Sequence, residues 1–289
     1  MKDFLFYTPK TVPEAVGLLA EHRGDAAVIS GGTDLVIELQ ARRCPGVVVN
    51  INKIKELRAI RVDGGEARIG AAVTFSRIEA DEAIRQRAKA LHACAAGVGS
   101  PQIRNLATIG GNVCNASVAG DSPVALLALD ASVALESVRG RREMPLCDFY
   151  AGGAKTQIEA DELLTEIRFR LPGGNAASAS RKLGRRKALV IAVLHFAAFV
   201  EWDGAGAITG ARAAIGAVSA KPVRLPEVEA YLAGKPVGAE TFSRCPQLLS
   251  DAVARMIPTR ASVAYKKESV KAVAQGVFDE IEAQARRGA

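Results

Sequence analysis

Two short glycine-rich segments contain the residues best suited to holding an anion. The first, VISGGTDLVIEL, spans residues 28–39, and the second, LATIGGNVCNASVAGDSP, spans residues 106–123. In each, an apolar strand-like run ends in a Gly-Gly pair that small and polar residues follow. Paired glycines permit a turn with positive φ and remove the Cβ atoms that would keep a bulky ligand away. Successive backbone N–H groups in such a turn can converge on an anion.

Hydroxyl, carboxyl and amide side chains accompany both glycine pairs. One Gly-Gly turn is commonplace and is most simply a loop. Two of them, each with polar neighbours, indicate a clamp that holds a pyrophosphate from both sides. The polar neighbours are Ser30, Thr33 and Asp34 in the first segment and Thr108, Asn112, Asn115 and Ser117 in the second.

The histidines and the remaining motifs indicate no other chemistry. His22, His92 and His195 are scattered and lie outside any HExxH or nucleophile–base pattern. His195 lies in an apolar run, which predicts a core or edge residue with a satisfied hydrogen bond. The sequence GVG at 97–99 begins like a dinucleotide fingerprint, but Gln102 stands where the third glycine belongs. The sequence also contains neither a Walker A motif nor GxSxG.

The five cysteines argue against a metal centre. They stand at positions 44, 94, 114, 147 and 245, without CxxC spacing. Zinc and iron–sulfur sites usually contain at least one close pair, and a chain without a signal peptide is not expected to form disulfides. We therefore expect neither an iron–sulfur cluster nor a structural zinc in this chain. Cys114 belongs to the second glycine segment, where it either packs near the ligand or is a small buried residue.

The composition is that of an ordinary globular protein. The 289 residues suggest about two domains, and 49% apolar with 24% charged residues is a typical balance. The longest apolar run, residues 188–200, is shorter than the roughly 20 residues that span a bilayer. We expect no membrane span and no signal peptide, and hence a cytosolic chain or one that a partner carries elsewhere.

The net charge of +7 is concentrated in part in RKLGRRK at 181–187 and in Arg286 and Arg287. A basic strip can bind nucleic acid. Neither aromatic interleaving nor a helix-turn-helix pattern accompanies it here, so we expect no nucleic-acid partner. The charge pattern favours one cation near a dinucleotide phosphate, with the others facing solvent or an acidic subunit.

The elements around the first glycine segment predict a small parallel sheet. Its Gly-Gly loop follows the carboxyl end of a strand, where α/β sheets bind ligands and a helix N-terminus can face an anion. The predicted elements are a helix over 12–22 with Pro13 at its first position, a strand over 26–30, a helix over 35–42 capped by Thr33 or Asp34, and a strand over 47–51.

From about residue 56 the pattern becomes α+β. The clearest composition break is PGGNAASAS at 172–180, which is small and polar and marks a domain boundary. After it come a buried segment at 188–200, a turn at Asp203-Gly204, a strand-like run over 207–218 and a mostly helical remainder. Before it we predict strands over 68–73, 132–137, 142–146 and 163–171, one or two helices over 76–96, and a helix that starts at Asp121-Ser122 with Pro123 at its first position.

The order of these segments resembles the FAD-binding (medium) subunits of the molybdenum hydroxylases, which include carbon monoxide dehydrogenase and xanthine dehydrogenase. TIGGN, NAS and DSP ahead of the apolar helix VALLALDA are similar to the family's second FAD loop, and SGGTDL is similar to its AGGTDL loop. The resemblance continues through IGAAVTFSRIE, PQIRNLATIGGN and RKLGRRKALVIAV. It closes with RASVAYKKESV, where the family usually has Tyr-Arg and this chain has Tyr265-Lys266.

The resemblance implies an α+β fold with two domains. Residues 1–174 would form a two-lobed PCMH-type FAD-binding domain, with a small βαβ lobe over 1–55 and a larger α+β lobe over 56–174. Residues 178–285 would form a C-terminal domain of antiparallel sheet packed on helices, similar to that of the carbon monoxide dehydrogenase flavoprotein.

The resemblance also implies which residues bind FAD. Asp121 matches an aspartate of the family that suits ribose hydroxyls or an amino group, although a helix N-cap is an equal alternative. Val98 and Leu164 align with apolar positions that touch the cofactor, and as core residues they would look the same. Lys182 aligns with a lysine near the flavin or phosphate, and Thr74 with a strand edge near the isoalloxazine. The two loops themselves are Ile29, Ser30, Gly31, Gly32, Thr33, Asp34 and Leu35, and Thr108, Ile109, Gly110, Gly111 and Asn112.

By the same resemblance the chain is an oxidoreductase subunit with no acid–base catalyst of its own. A large molybdopterin-cofactor subunit would oxidise the substrate, and a small [2Fe-2S] subunit would pass electrons to FAD here. NAD, oxygen or a quinone would then accept them, in an assembly expected to be a dimer of heterotrimers. Two alternatives are a self-contained FAD-dependent oxidoreductase and a scaffold that has lost its flavin. The first lacks an obvious substrate domain, and the intact glycine loops count against the second.

Overall fold

A small parallel sheet forms the N-terminal lobe of the protein. The structure is a computed structural model that describes residues 4–41, 45–186 and 190–288. The three strands lie in the order β1-β3-β2 and are all parallel, which confirms the predicted βαβ unit. The elements of this lobe are β1 (Leu5–Tyr7), α1 (Val12–Glu21), β2 (Ala26–Ile29), α2 (Leu35–Ala41) and β3 (Val47–Asn50).

The start of α1 and its packing on the sheet both follow from the local sequence. The Thr11 side chain accepts a hydrogen bond from the N–H of Glu14 and so caps α1. Pro13 is the second helical residue, not the first as predicted, and it still needs no intrahelical N–H partner there. The helix buries Val16 and Leu19 with the apolar face of β3.

The second lobe contains a five-stranded antiparallel sheet in the order β4-β5-β10-β6-β7, with a separate two-stranded ribbon, β8-β9. The predicted strand over 68–73 ends already at Gly70, and the strand over 132–137 has the predicted bounds. The strands are β4 (Ile60–Asp63), β5 (Glu66–Gly70), β6 (Ser132–Ser137), β7 (Gly140–Pro145), β8 (Tyr150–Gly152), β9 (Lys155–Thr156) and β10 (Leu163–Arg170).

Short helices cover one side of this sheet. The predicted helical region over 76–96 is three helices, because Asp81 ends one and caps the next, and Ala88 separates the second from the third. Pro123 is the third residue of its helix and Gly120 is the N-cap, so Asp121 does not have the N-cap role. The helices are α3 (Phe75–Ala80), α4 (Glu82–Arg87), α5 (Lys89–Ala96), α6 (Pro101–Leu106), α7 (Ile109–Cys114), α8 (Asp121–Ala128) and α9 (Leu146–Phe149).

The second glycine pair does not form the predicted strand-to-turn junction. Gly110 and Gly111 lie in the first turn of α7, which Thr108 caps by accepting from the N–H of Gly111. Of the four glycines in the two pairs, Gly32 alone has a positive φ, +72°. The pair at 110–111 therefore serves close approach of the helix to its surroundings and not a left-handed turn.

The C-terminal part forms a four-stranded antiparallel sheet, β11-β12-β13-β14, packed on helices. The polar break is narrower than predicted, since β11 begins within it and buries Ala177 and Ala179. Within the predicted buried segment Ile191 is 79% exposed, and its residues 188 and 189 lie outside the described ranges. The elements are β11 (Ala176–Leu183), β12 (Leu194–Trp202), β13 (Ile208–Gly216), β14 (Val223–Arg224), α10 (Pro226–Leu232), α11 (Ala239–Phe242), α12 (Cys245–Met256) and α13 (Val263–Gly288).

Strand β12 is buried on both faces and joins two cores. Phe196 and Ala198 pack with the helices of the C-terminal part, whereas Ala197 and Phe199 belong to the core of the second lobe. Successive side chains of a strand point to opposite faces. His195, which alternates with Phe196, therefore faces the second lobe.

Lys266, at a position where the resemblance implied arginine, links α13 to the chain after β13. Its Nζ donates to the carbonyl oxygen of Ala217 at 2.6 Å, and the N–H of Ala217 donates to Val118 O. Burial and the nearby Arg260 lower the pKa of Lys266. A lysine at this position thus supports the loop that precedes α8.

The buried carboxylate of Glu162 lies just before β10, the middle strand of the five-stranded sheet. Arg142 donates to both carboxylate oxygens of Glu162, from Nε to Oε1 at 2.6 Å and from Nη2 to Oε2 at 2.7 Å. Burial raises the pKa of Glu162, but the hydrogen bonds from Arg142 and the Glu159 backbone outweigh burial and lower it. A lowered carboxyl pKa stabilises the fold above its usual value of 4.5 and loses that contribution as the pH falls.

We expect Arg142→Met to destabilise the protein by about 2 kcal/mol at neutral pH, because it leaves Glu162 buried without its partner. The cost is smaller than for a fully buried pair because Arg142 is partly exposed. The deficit should shrink at pH 4, because burial without the hydrogen bonds from Arg142 raises the pKa of Glu162 in the variant and its carboxyl group then takes up a proton. Urea unfolding at both pH values measures the deficit. Arg85→Met, which removes only an exposed i,i+3 pair with Glu82, is the control with little expected change. An equal deficit at both pH values would contradict the electrostatic explanation.

Within the described ranges, Cys94, Cys114, Cys147 and Cys245 are free thiols. Cys44 lies outside those ranges. Across the same part of the chain, no group of three or more histidine, cysteine, aspartate or glutamate side chains could hold a metal ion. None of the helices there is long and apolar enough to cross a membrane.

Candidate cofactor-binding cleft

An open cleft of about 970 Å³ separates the N-terminal lobe from the second lobe. One wall is the segment 28–35, from the end of β2 to the start of α2. The opposite wall runs from Val98 through α7 to Asp121, and Val190 and Ile191 stand at its edge. The volume lies at the upper end of the range for small-molecule sites, as a large ligand requires.

The first loop presents unused backbone donors to the cleft. Gly32 has φ +72°, and its carbonyl accepts from the N–H of Val36 to begin the turn into α2. The N–H groups from Gly32 to Leu35 donate no hydrogen bond to the described part of the chain. Consecutive free N–H groups in a turn with one left-handed residue form a concavity that suits an anion.

Two contacts fix this loop in place. A Cβ on Gly31 would overlap the carbonyl oxygen of Leu106, so only glycine lets the loop lie against the end of α6. Ser30 exchanges hydrogen bonds with Asn52: its Oγ donates to Asn52 Oδ1 at 3.1 Å, and Asn52 Nδ2 donates to its carbonyl at 2.8 Å. The donors are therefore held before any ligand arrives.

The second glycine segment offers fewer donors than its sequence suggests. The N–H groups of Ile109 and Gly110 donate to the carbonyls of Val73 and Ala71 at 3.0 and 2.9 Å. A Cβ on Gly110 would lie 2.6 Å from that Ala71 oxygen, whereas a Cβ on Gly111 would meet only the Thr108 hydroxyl at 3.0 Å. Gly110 thus serves packing, and Gly111 keeps the cleft open.

A side-chain bridge links the two walls. Asn115 Nδ2 donates to Asp34 Oδ1 at 3.1 Å, and Thr33 Oγ1 donates to the other carboxylate oxygen at 3.3 Å. Within the second wall, Asn112 Oδ1 accepts from the hydroxyl and the N–H of Ser122, which ties α7 to α8.

Asp121 lies at the meeting point of three elements. Its Oδ2 is 2.5 Å from Lys182 Nζ, which also donates to the carbonyl of Gly97 at 3.0 Å. Its Oδ1 is 3.4 Å from His195 Nδ1, and both of these atoms are buried without a hydrogen-bond partner among the described residues. The expected satisfied hydrogen bond of His195 is therefore absent at Nδ1. Oδ1 of Asp121 is thus buried beside His195, although the residue as a whole lines the cleft.

The charged side chains along the described part of the cleft are mostly acidic. Among the described lining residues the charged side chains are Asp34, Glu38, Asp121 and Arg186. Three carboxylates to one guanidinium indicate that backbone N–H groups, more than cations, must meet a pyrophosphate. The carboxylates suit hydroxyl or amino donors.

The structure brings most of the predicted site residues together. The twelve that line the cleft are Ile29, Ser30, Gly31, Gly32, Thr33, Asp34, Leu35, Val98, Thr108, Gly111, Asn112 and Asp121.

Five predicted residues do not line the cleft. Ile109 and Leu164 are buried in the core of the second lobe, and Gly110 packs on Ala71. Thr74 is the N-cap residue of α3, without a capping hydrogen bond from its side chain, and pairs with Thr108 in an isolated bridge. Lys182 forms an ion pair with Asp121.

Sequence reasoning missed several residues that line the cleft, among them Glu38 and Arg186. Arg186 belongs to the basic strip at 181–187, one cation of which was expected to lie near a phosphate, so that expectation was a signal for it. Phe75, Ile103 and Ile191 carry no local signal, because an apolar residue at a cleft and one in a core look alike in sequence. Cys114 also lines the cleft, and burial raises the pKa of its thiol to about 12, which keeps it protonated.

Family models match both parts of the chain. Residues 2–172 match the FAD binding domain in molybdopterin dehydrogenase. The chain belongs to this family of FAD-binding subunits. Residues 179–281 match the CO dehydrogenase flavoprotein C-terminal domain. FAD is therefore the cofactor, and the chain is an FAD-binding medium subunit of the molybdenum hydroxylase type.

Relatives of full length support the same assignment. The chain is 46% identical to the nicotinate dehydrogenase FAD-subunit of Eubacterium barkeri, over 97% of each chain. It is 32% identical to the putative xanthine dehydrogenase FAD-binding subunit of Escherichia coli K12, over 99% of this chain and 98% of the relative. The solved carbon monoxide dehydrogenase of Hydrogenophaga pseudoflava superimposes with a TM-score of 0.88 at 29% identity, over 98% of each chain.

The cleft residues fit FAD. Free N–H groups from Gly32 to Leu35 suit a pyrophosphate, the Asp121 carboxylate at the wall suits a hydroxyl donor, and the missing side chain of Gly111 leaves room at the wall. The donors, the carboxylate and the free space of the cleft thus agree with the FAD-binding family to which the chain belongs.

Proposed function

We propose that this chain is the electron-transfer subunit of a multi-subunit molybdenum hydroxylase. The observation that carries the proposal is the cleft between two lobes, whose first wall presents consecutive free N–H groups from a loop that Gly31 and Ser30 hold rigid. Bound FAD supplies the redox chemistry, accepting electrons and passing them on. The chain itself holds and orients the cofactor.

The proposed contacts follow from the lining of the cleft. The N–H groups of Gly32, Thr33 and Asp34 would donate to the pyrophosphate, and Gly111 would allow its close approach. Asp121 would accept from a hydroxyl of the cofactor. Lys182 would act through Asp121, whose charge it balances, and not on the cofactor itself. The domain division at 174/178 remains a prediction, with family-model limits at 172 and 179 on either side of it.

The partners we propose are a large subunit with the molybdopterin cofactor and a small [2Fe-2S] subunit. The named relatives are FAD subunits of nicotinate, xanthine and carbon monoxide dehydrogenases, which differ in substrate while sharing this type of chain. This supports a division of labour in which another chain selects the substrate. Electrons would enter from the iron–sulfur subunit and leave to NAD, oxygen or a quinone.

The test is to purify the chain under native conditions together with whatever binds it, and to record an absorption spectrum with iron and molybdenum analysis. We expect a flavin spectrum with both metals present and with two further subunits. Flavin without metals, with turnover of a small substrate, would favour a self-contained flavoenzyme. No flavin after reconstitution with excess FAD would overturn both assignments.

A further inference from the structure

A buried cluster of ionisable side chains lies where the C-terminal sheet packs on the second lobe. His195 on β12 is 2% exposed, and its Nδ1 faces Oδ1 of Asp121 at 3.4 Å. Neither atom has a hydrogen-bond partner within the ranges that the structure describes. Buried polar atoms are almost always paired in folded proteins. Two orphaned atoms that face each other therefore indicate a contact that closes in another state of the site.

The rest of the cluster holds the Asp121 carboxylate from its other side. Lys182 Nζ is 2.5 Å from Oδ2 of Asp121. Lys182 is also the cross-strand partner of His195 in the β11–β12 ladder, so both side chains reach the same face. Asp121 lies between a fixed ammonium group and an imidazole, and it lines the cofactor cleft.

The neighbouring elements add few other ionisable groups. From α5, Cys94 approaches the cluster, and burial together with the Asp121 charge raises its thiol pKa well above the usual value. Gly216 of β13 lies opposite His195 in the ladder. Arg212 of β13 and Asp130 pair with each other, and Arg212 lies over Phe199, four residues along β12. Imidazole is the group in such a set that normally changes its charge between pH 5 and 8.

We propose that His195 is a positioning residue for the cofactor site. With FAD in the cleft, its Nδ1–H donates to Oδ1 of Asp121, so that the carboxylate is held by His195 on one oxygen and Lys182 on the other. This inference rests on the proposed FAD site. Protonation of the ring strengthens the contact and adds a positive charge beside a cleft that receives a diphosphate. FAD binding and proton uptake by His195 then favour each other equally, because coupling between two ligands is reciprocal.

The first test measures the Kd of FAD for the flavin-free full-length chain at pH 6 and pH 8. For the wild-type chain we expect binding about fivefold or more weaker at pH 8. His195→Asn keeps a donor near the Nδ1 position but cannot titrate, so its Kd should stay near the wild-type value at pH 8 and not change with pH. His195→Leu removes the donor, and its binding should be about tenfold weaker than that of His195→Asn at both pH values. Thermal unfolding of each variant verifies that it is folded.

The second test is independent of affinity. The His195 ring signal in NMR spectra of the labelled chain, assigned by its loss in His195→Asn, should titrate with a higher midpoint when FAD is added. An unchanged midpoint would overturn the inference, as would wild-type affinity in His195→Leu or a pH dependence that survives in both variants. A wild-type chain that binds no FAD at either pH would overturn the proposed function, and this inference with it.

Discussion

Replacing Gly111 by valine should abolish FAD retention while leaving the chain folded. A Cβ at this position points into the cleft and meets only the Thr108 hydroxyl, at 3.0 Å. The two further methyl groups of valine would occupy space that the cofactor needs. We expect FAD binding to weaken by about 10- to 100-fold, since overfilling a fitted site costs about 1–3 kcal/mol and about 1.4 kcal/mol is a factor of ten in Kd. Flavin content after purification and the Kd for added FAD measure the effect.

The matched control is Gly17→Val in α1. Gly17 is also a helical glycine, and a Cβ there meets nothing within 4 Å. The two substitutions add the same atoms to the same kind of backbone, so an effect of valine on helix formation should be alike in both. Stoichiometric FAD in Gly111→Val would show that the second wall of the cleft is misplaced.

The adjacent substitution, Gly110→Ala, should act on stability. Its Cβ would lie 2.6 Å from both the Cβ and the carbonyl oxygen of Ala71, which is 3% exposed, and that oxygen accepts the Gly110 N–H. Backbone atoms must then move, and the hydrogen bond between α7 and the chain after β5 is strained. We expect a loss of about 3 kcal/mol in the free energy of unfolding. Urea denaturation of the flavin-free chain measures it.

Gly111→Ala is the control for this second prediction. The added methyl group meets only the Thr108 hydroxyl, at 3.0 Å, and this tight contact is offset by the preference of a helix for alanine over glycine, about 1 kcal/mol, so we expect little net change in stability. Equal stability of Gly110→Ala and Gly111→Ala would contradict the close packing of α7 on Ala71. The pair of neighbours thus separates a structural glycine from a glycine that keeps the cleft open.

The first wall of the cleft was predictable because it is local in sequence. The strand, the Gly-Gly loop and the helix between residues 26 and 41 are contiguous, and their pattern predicts where the free N–H groups lie. Even here the reason for Gly31 is not local. Its close neighbour is Leu106, 75 positions further along the chain, and no pattern around Gly31 reveals that contact.

The second wall was predicted in composition but not in conformation. The residues TIGGN mark the family, yet they form a capped helix and not a turn. Its first N–H groups are taken by Val73 and Ala71, which precede it by more than 30 positions. A local pattern can show that glycine is required but not whether the requirement comes from a ligand or from a neighbouring strand.

By itself, the sequence determined the family through its motifs, and the cofactor with the family. Short-range patterns and periodic burial also predicted the strand, loop and helix of the first cleft wall and most of the other strands and helices. The tertiary structure alone decided which N–H groups remain free, which glycine faces the cleft, and that Lys182 and His195 both meet Asp121. Those outcomes depend on contacts between segments 30 to 80 residues apart. The contacts of Lys182 and His195 come from the packing of β11 and β12 against the second lobe, and those of α7 from its packing on the chain after β5. No periodicity along the chain encodes either packing.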